Sequence, residues 1–526
     1  MSATPPVEEV IRVAKTLGMT LGPEEAGMYR DRLAAALNGI EGFMRMRMEE
    51  ARPALLAPER VPGHRPSSVE DRFNAWLWKC DIKEAETGLL AGKTVSFKDH
   101  IAVGGVPLTL GSYFMEGYVP DFDATIVTRV LAAGGTVIGK NSMDGPTNGW
   151  GNGVPSDYQR PLNPHNPDHC TGGSSSGSAV AVAAGEVDVS FGGDQAGSIR
   201  IPAAFCGVYG LKPTFGLVPH FGIGFGSDQS IDCAGPIARD IEDVAAALDA
   251  VAGYDSRDQR QDRTVPARFD TLSSLTDGIK GVRIGVLKEG FIDAEVDVRD
   301  AVLAAVDVLV GTGATAADVS IPEHRSAALT AAYGLDPEGA RAVFDIGFFG
   351  AFAKTHYPAT WISATHLLYH EHTDDLIPRR KLGLIASEFV RARFHGSVYA
   401  KAQNVRSAVK HAFDTALDRV DVLVMPTCLG VAPEYTEPAN DHERLARGLD
   451  GGGFELTRGT RPYNFTGHPA LTVPCGKSGG LPIGMQLVAR YYGEPLLVRT
   501  AYAFQHSVNW EELTGLPAAR TQSSSA

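Results

Sequence analysis

The sequence predicts an α/β protein in which helices cover both faces of a central sheet. Short apolar segments typical of strands alternate with helical segments along most of the chain. Apolar residues make up 44% and charged residues 21% of the 526 residues, as is typical of a globular protein. Glycine is frequent, at 59 residues, which indicates many tight turns and close backbone approaches.

The first 70 residues are predicted to form a helical extension. Apolar residues recur at helical spacing from Val7 to Leu17, and a second helical run starts at Pro23 and continues to Ile40. Proline is tolerated in the first turn of a helix. A proline-rich linker follows, so the main domain is placed at residues 71–526.

Seven short apolar runs in this main domain are predicted to be strands, with helices such as residues 123–133 between them. The runs are residues 94–97, 136–138, 189–191, 282–287, 422–425, 471–473 and 485–488. Residues 322–406 are predicted to be a helical insertion on the substrate side. Seven of its aromatic residues either form a core between helices or line an apolar pocket: Phe344, Phe348, Phe349, Phe352, Tyr357, Trp361 and Tyr369.

Composition argues against several classes of partner. Lys and Arg number 48 and Asp and Glu 62, a net charge of −14 that would repel phosphate backbones, so we expect no nucleic-acid partner. With no long apolar run and an acidic N-terminus, we expect no membrane association and a cytoplasmic location. The six scattered cysteines are typical of buried thiols in a reducing compartment.

Two glycine-rich turns that contain serine carry the strongest chemical signal. Residues 171–178 (TGGSSSGS) and residues 192–202 (GGDQAGSIRIP) flank one small-residue helix and one strand. Glycine lets backbone N–H groups turn toward a ligand, as an oxyanion hole requires. A third element upstream, residues 94–100 (TVSFKDH), places Lys98 at the end of a short apolar strand.

Together these motifs resemble the amidase signature family. The resemblance covers about residues 89–505 and includes GKNSMD at 139–144, GLKPT at 210–214 and NFTGHPA at 464–470. It implies a central twisted mixed β-sheet covered by helices on both faces. It also assigns Ser198 as nucleophile, Ser174, after a cis peptide, as bridging serine, and Lys98 as base. The family's two serines are 24 residues apart, as here (198 − 174 = 24).

Within the family, the Asp-Gln pair before Ala196, the N-terminal extension and residues 215–219 look most like bacterial enantioselective amidases. Many family members have glycine where this chain has Ala196, and the methyl group could narrow the acyl pocket. No cofactor and no metal are required by this chemistry.

A lysine base works only if its pKa is lowered. At the ordinary pKa of ~10.4, about one lysine in ~2,500 is neutral at pH 7, an unfavourable contribution of roughly 4.6 kcal/mol. Burial of Lys98 at a strand end would favour the neutral form. Backbone amides of Gln195, Ala196, Gly197 and Ser198 would hold the oxyanion, and Asp194 would fix the turn through backbone hydrogen bonds.

The main functional hypothesis is hydrolysis of a small to mid-sized carboxylic amide with an apolar or aromatic acyl group. Expected pocket residues are Met143, Asn148, Trp150, Gly172, Ser175 and Ile223. Three alternatives stay open: the same triad acting on carbamates, anilides or esters; an amidotransferase subunit that supplies ammonia to a charged tRNA; and a silent binding protein, against which the intact triad argues. The helical extension would suit a homodimer contact.

Other motifs have structural interpretations. Residues 173–177 also fit G-x-S-x-G, with Ser175 as nucleophile, but no buried strand precedes them. Residues 134–140 approach a phosphate loop but lack the following Ser or Thr. His370, Glu371 and His372 match no zinc spacing. Residues 407–410 fit S-x-x-K on an amphipathic helix without its companion motifs, and Cys170 lacks a histidine partner.

Overall fold

The structure is a computed structural model that describes residues 4–47, 53–145, 158–350, 354–449 and 452–512. The chain divides into two compact units, Met1–Arg52 and Pro53–Ala526. Among the described helices, none is both long enough and apolar enough to cross a bilayer.

The first unit contains two helices, α1 (Val7–Thr16) and α2 (Pro23–Met44), at the two places where the sequence predicts them. Residues 53–70, which the prediction assigned to the extension, belong instead to the second unit. Polar contacts tie this segment to the main domain: Arg60 forms a buried ion pair with Asp123 at 2.6 Å, and His64 pairs with Lys79 in a β-bridge.

The second unit is built on one mixed sheet of eleven strands in the described part of the chain, in the order β1-β3-β2-β4-β6-β5-β10-β11-β9-β7-β8. The β2 strand is parallel to β3 and β4, β7 is parallel to β8 and β9, and the other neighbours are antiparallel. The strands are β1 Trp76–Ile82, β2 Thr94–Lys98, β3 Thr136–Asn141, β4 Val189–Asp194, β5 Tyr209–Lys212, β6 Cys233–Ala238, β7 Arg283–Leu287, β8 Thr315–Val319, β9 Val422–Pro426, β10 Ala470–Ser478 and β11 Leu481–Val488.

Both faces of this sheet are buried, which confirms the predicted fold class. In β9, Val422 and Val424 belong to one apolar cluster while Leu423 and Met425 belong to another, because successive side chains point to opposite faces. The helices of the first cluster are α3 Thr125–Ala132, α6 Ile241–Val251, α7 Val296–Gly311 and α16 Glu494–Gln505. Opposite them lie α4 Ser176–Ala183, α5 Arg200–Cys206 and α15 Arg461–Thr466.

The stretch predicted as an insertion is helical. It contains α8 Glu323–Thr330, a π-helical segment Ala331–Leu335, α9 Asp336–Asp345, α10 Ala359–His372, α11 Pro378–Phe394 and most of α12 Ser397–Leu417. Two further helices, α13 Asp441–Leu449 and α14 Gly452–Thr457, precede α15.

Aromatic residues of the insertion pack against one another. Phe344, Phe348, Phe349 and Trp361 are buried in one cluster that also contains Phe221. The ring centroids of Phe344 and Phe348 are 4.9 Å apart, and the Trp361 indole N–H donates to the Gly347 carbonyl at 2.7 Å. The cluster is therefore a core between helices rather than a pocket wall; Phe352 lies outside the described residues.

Candidate active site

Lys98 ends β2 and points away from the larger apolar core. The preceding residue, Phe97, packs in that core and stacks on Phe191 with a centroid distance of 5.6 Å. Strand alternation therefore directs Lys98 to the opposite face, where α4 and α5 lie. Its side chain is fully buried. Because β2, β3 and β4 are parallel, their carboxyl ends meet here.

The first serine-bearing turn brings Ser174 to this lysine. Lys98 Nζ lies 2.6 Å from Ser174 Oγ, and Ser174 is 1% exposed. The Gly173–Ser174 peptide is cis, as the family resemblance implies. A side chain at Gly173 would collide with Asp144, whose backbone N–H donates to the Ser174 carbonyl at 3.1 Å. Close packing thus demands glycine before Ser174.

The second turn carries Ser198 to the same place. The Ser175 backbone N–H donates to the Ser198 carbonyl at 3.1 Å, which joins the two turns directly. Whereas Lys98 and Ser174 are buried, Ser198 is only half-buried. The three groups can therefore form a path that starts in the interior and ends at a surface that a substrate can reach.

The environment of Lys98 suits a base. Burial lowers the pKa of Lys98 to about 8, although the carboxylates of Asp144, Asp232 and Asp194 act in the opposite direction. With that pKa, about one molecule in ten carries neutral lysine at pH 7, and the unfavourable contribution falls to about 1.4 kcal/mol.

Asp194 fixes the second turn. Its carboxylate accepts the Gly197 N–H at 2.7 Å and the Ile199 N–H at 3.1 Å, which confirms the structural role expected for it. Two N–H groups of the buried Arg200 guanidinium donate to both carboxylate oxygens, at 2.8 and 3.0 Å. Burial alone would raise the pKa of Asp194, but Arg200 and then Asn464 hold it below its ordinary value.

These contacts revise the set of oxyanion donors. The Gly197 amide donates to Asp194 and so is not free to bind an oxyanion, contrary to the prediction. The backbone amides of Gln195, Ala196 and Ser198 donate to no acceptor within the described part of the chain. The Thr460 hydroxyl donates to the Ala196 carbonyl at 2.5 Å and so orients that peptide. Three amides therefore remain as candidate donors.

The expected pocket residues have different positions. Ile223 forms a β-bridge with Ile101, three residues after Lys98, and Met143 packs against Gly111. The Gly172 backbone packs closely against Pro202, and the Ser175 hydroxyl donates to the Gly193 carbonyl at 3.2 Å. Met143, Gly172, Ser175 and Ile223 are all buried. Asn148 and Trp150 lie outside the described residues.

Some residues of the site have roles that the sequence motifs did not predict. Asn464 donates to the Asp194 carbonyl at 2.7 Å, and Arg200 joins Asp194 to the Thr460 carbonyl and to Gln486. Both residues lie in motifs that the family resemblance includes, so the sequence could have indicated that they belong to the site. Asp232, which accepts a hydrogen bond from the Gln195 side chain at 2.7 Å, lies in no recognised motif.

The competing motifs have structural roles. Lys140, which ends the phosphate-loop-like stretch, is buried on β3 and pairs with Asp99 at 3.0 Å. Lys410 of the S-x-x-K match pairs with Asp414 on α12. Burial raises the pKa of Cys170 to about 11, so its thiol stays protonated near neutrality. Within the described ranges, no three metal-ligating side chains converge.

The fold and the lysine–serine arrangement define an enzyme that acts on carbon–nitrogen bonds. The chain belongs to the amidase signature family, since the family model described as Amidase matches residues 72–498.

Relatives and solved structures agree with this assignment. The chain is 36% identical over 447 residues to the A subunit of glutamyl-tRNA(Gln) amidotransferase from Methanosarcina mazei, covering 84% of this chain and 90% of that protein. The same subunit from Thermotoga maritima superposes with a TM-score of 0.67 at 28% identity, over 85% of this chain and 90% of that one. Peptide amidase from Stenotrophomonas maltophilia gives 0.65 at 28% identity, over 82% and 85%.

These relatives correct one expectation from composition. The net charge argued against any nucleic-acid partner, yet several relatives are named as subunits of an amidotransferase for a charged tRNA. The expectation is wrong because net charge describes one chain as a whole and does not decide whether that chain serves a nucleic-acid reaction as one subunit of an assembly.

Proposed function

We propose that this chain hydrolyses a carboxylic amide, with release of ammonia from primary amides, through an acyl-enzyme on Ser198. The observation that carries the proposal is the contact of 2.6 Å between the buried Lys98 amine and the Ser174 hydroxyl, next to the turn that presents Ser198. A lysine in this position replaces the histidine of other serine hydrolases.

The proton path follows from burial. Neutral Lys98 accepts the Ser174 proton, Ser174 accepts the Ser198 proton, and Ser198 Oγ attacks the amide carbon. The backbone amides of Gln195, Ala196 and Ser198 stabilise the oxyanion that forms. The tetrahedral intermediate collapses as the same path delivers the proton to the leaving nitrogen. Water then attacks the acyl-enzyme and loses a proton toward Lys98. The same path returns that proton to Ser198 Oγ as the carboxylic acid leaves.

The test is product analysis on a panel that contains an aliphatic carboxamide, benzamide, glutamine, an acetanilide, an aryl carbamate and an ester. We expect ammonia from the primary amides and an acyl adduct on Ser198 in the intact mass. Ser198→Ala should fold normally and give neither. Retained turnover in Ser198→Ala would rule out this nucleophile, and arylamine as the main product would assign the site to anilides or carbamates.

A second candidate is the amide-hydrolysing subunit of an amidotransferase. It is supported by relatives that carry this name at 35–38% identity over 80–85% of this chain. By contrast, the resemblance to enantioselective amidases rests on short motifs. The buried aromatic cluster gives no support to an aromatic acyl group as the preferred substrate.

Two measurements separate these candidates. The first compares ammonia release from glutamine with release from an uncharged carboxamide of the same length; the amidotransferase candidate predicts a preference for glutamine. The second adds charged tRNA, ATP and the partner subunits of a homologous amidotransferase, and follows transfer of the amide nitrogen. Efficient hydrolysis of uncharged amides with no transfer would identify a stand-alone amidase.

A further inference from the structure

Asp232 holds two loops together directly beside the second serine-bearing turn (residues 192–202), called the catalytic turn below. It precedes β6, and the antiparallel register of β4 and β6 places Cys233 opposite Asp194, so Asp232 lies next to Gln195. The side chain is fully buried. One carboxylate oxygen accepts the Gln195 side-chain N–H at 2.7 Å, and the other accepts the Gly226 backbone N–H at 2.9 Å.

The second loop leads to the aromatic cluster of the insertion. Phe225, next to Gly226, donates its backbone N–H to the Phe348 carbonyl at 2.8 Å. His220 stacks on Phe225 at 4.5 Å, and its Nε2 lies 3.2 Å from Asp232. A single carboxylate thus connects the turn that carries the oxyanion donors with the loop on which the insertion packs.

We propose that Asp232 is a positioning residue of the hydrolytic site, which holds the Gln195 side chain and thereby fixes the backbone amides that receive the oxyanion. This inference rests on the proposed function. An oxyanion donor must be in place before charge develops, because a displacement of about 1 Å can reduce the rate 10²-fold. Asp232 supplies that constraint from outside the turn.

The charge of Asp232 also acts on Lys98 and raises its pKa against the effect of burial. Asp144 and Asp194 act in the same direction. His100 is held neutral, because burial lowers its pKa far below the ordinary value. The charges that act on Lys98 are therefore those of Asp144, Asp194 and Asp232, and its neighbour His100 is neutral. The Lys140–Asp99 ion pair also acts on this region, because Lys140 lowers the pKa of His100.

The test compares pH profiles of kcat/KM for wild type, Asp232→Asn, Gln195→Ala and the double variant. An amide has one oxygen, so an asparagine at this position cannot accept from both donors. We expect Asp232→Asn to lower the plateau about 10- to 100-fold and to move the acid limb to lower pH. Gln195→Ala should lower the plateau without moving the limb. In the Asp232→Asn background, the Gln195 change should cost much less, because the remaining oxygen can then serve Gly226.

Asp258→Asn is the matched control. Asp258 is a buried carboxylate of the same region that accepts from the His220 N–H and pairs with Arg260, but it is not among the charges that act on Lys98. The Asp258→Asn substitution should therefore leave the acid limb of the kcat/KM profile at the same pH. An equal shift in Asp258→Asn, or additive losses in the double variant, would overturn the proposal.

Two further variants, Gln195→Ala and Ser198→Ala, complete the test. If Asp232→Asn does not fold, Gln195→Ala tests the hydrogen bond between Asp232 and Gln195 from the other side. A folded Gln195→Ala with wild-type kcat/KM would overturn the proposal, and the predicted loss of kcat/KM would support it. Ser198→Ala separates this inference from the proposed function: an active Ser198→Ala refutes the proposed function, whereas an inactive Ser198→Ala with an unaffected Asp232→Asn refutes only the positioning role.

Discussion

The catalytic turn and the helical insertion are held by opposite kinds of interaction. Residues 194–200 are fixed by a buried network of directional hydrogen bonds around Asp194 and Arg200. The insertion is fixed by aromatic rings that pack by shape, such as Phe344 on Phe348 and Tyr369. We infer that directional polar contacts fix the geometry of the turn, whereas complementary shape fixes the insertion.

The sharpest way to test this comparison is to remove the base. Lys98→Met keeps the bulk of a buried side chain but cannot accept a proton from Ser174. We expect kcat/KM to fall about 10⁴-fold, about 5.5 kcal/mol of transition-state stabilisation. The melting temperature should stay the same or rise, because a buried amine no longer has to be desolvated. Activity within tenfold of wild type would show that Lys98 is not the base.

Breaking the network itself should cost stability as well as rate. Arg200→Met leaves the buried Asp194 carboxylate without its guanidinium, at a cost of about 3–5 kcal/mol in the free energy of unfolding. Urea denaturation measures this loss. Arg283→Met, which removes a surface ion pair with Asp421, is the control and should change little. Equal effects of the two variants would refute the idea that the turn depends on this pair.

A smaller effect is expected from Gly197→Ala. Gly197 has φ +134°, and an added Cβ would lie 2.3 Å from Thr460 Oγ1, the hydroxyl that orients the Ala196 peptide. We expect a loss of about 1–3 kcal/mol in stability together with reduced kcat. Gly216→Ala also has positive φ but has open space around it, so it should reduce stability only. Steady-state kinetics and thermal unfolding of both variants distinguish crowding from backbone strain.

The smallest effect is expected in the insertion. Phe344→Leu removes ring contacts at 4.9 and 4.6 Å and should lower stability by about 1 kcal/mol. The pH profile, kcat and KM should change little, because the Phe344 ring packs in a core between helices and not in the wall of a pocket. A moved acid limb in this variant would show that the insertion and the catalytic turn are not separable in the way the contacts indicate.

The sequence predicted those parts of the fold in which the local pattern of apolar residues indicates that a segment is buried. Apolar runs such as residues 422–425 are buried on both faces and are strands. Four strands were missed. Residues of β5 and β6 include glycine and proline, which disfavour strands, so these strands form because the neighbouring strands pair with them. Strand β8 is mostly exposed at the edge of the sheet and has few apolar residues. β1, with its irregular register against β3, shows no clean alternation.

The same division applies to the site. Lys98, Ser174 and Ser198 lie in compact motifs, and the resemblance to the amidase signature family assigned their roles. The structure brings Lys98 and Ser174 into contact. The engagement of the Gly197 amide by Asp194 was not predictable, because it depends on the exact rotation of one peptide. Asp232 was missed because its role arises from strand register across the sheet, which no local pattern reports.

We propose that the neutral form of buried Lys98 activates Ser198 through Ser174. The measurement that tests it most directly is the pH dependence of the acylation rate in single-turnover experiments with a primary amide. Because only unprotonated Lys98 is active, the rate should fall about tenfold per pH unit below a pKa of about 8 and level off above it. An ionisation near 6.5, as for a histidine base, or a rate independent of pH between 6 and 9, would contradict the account.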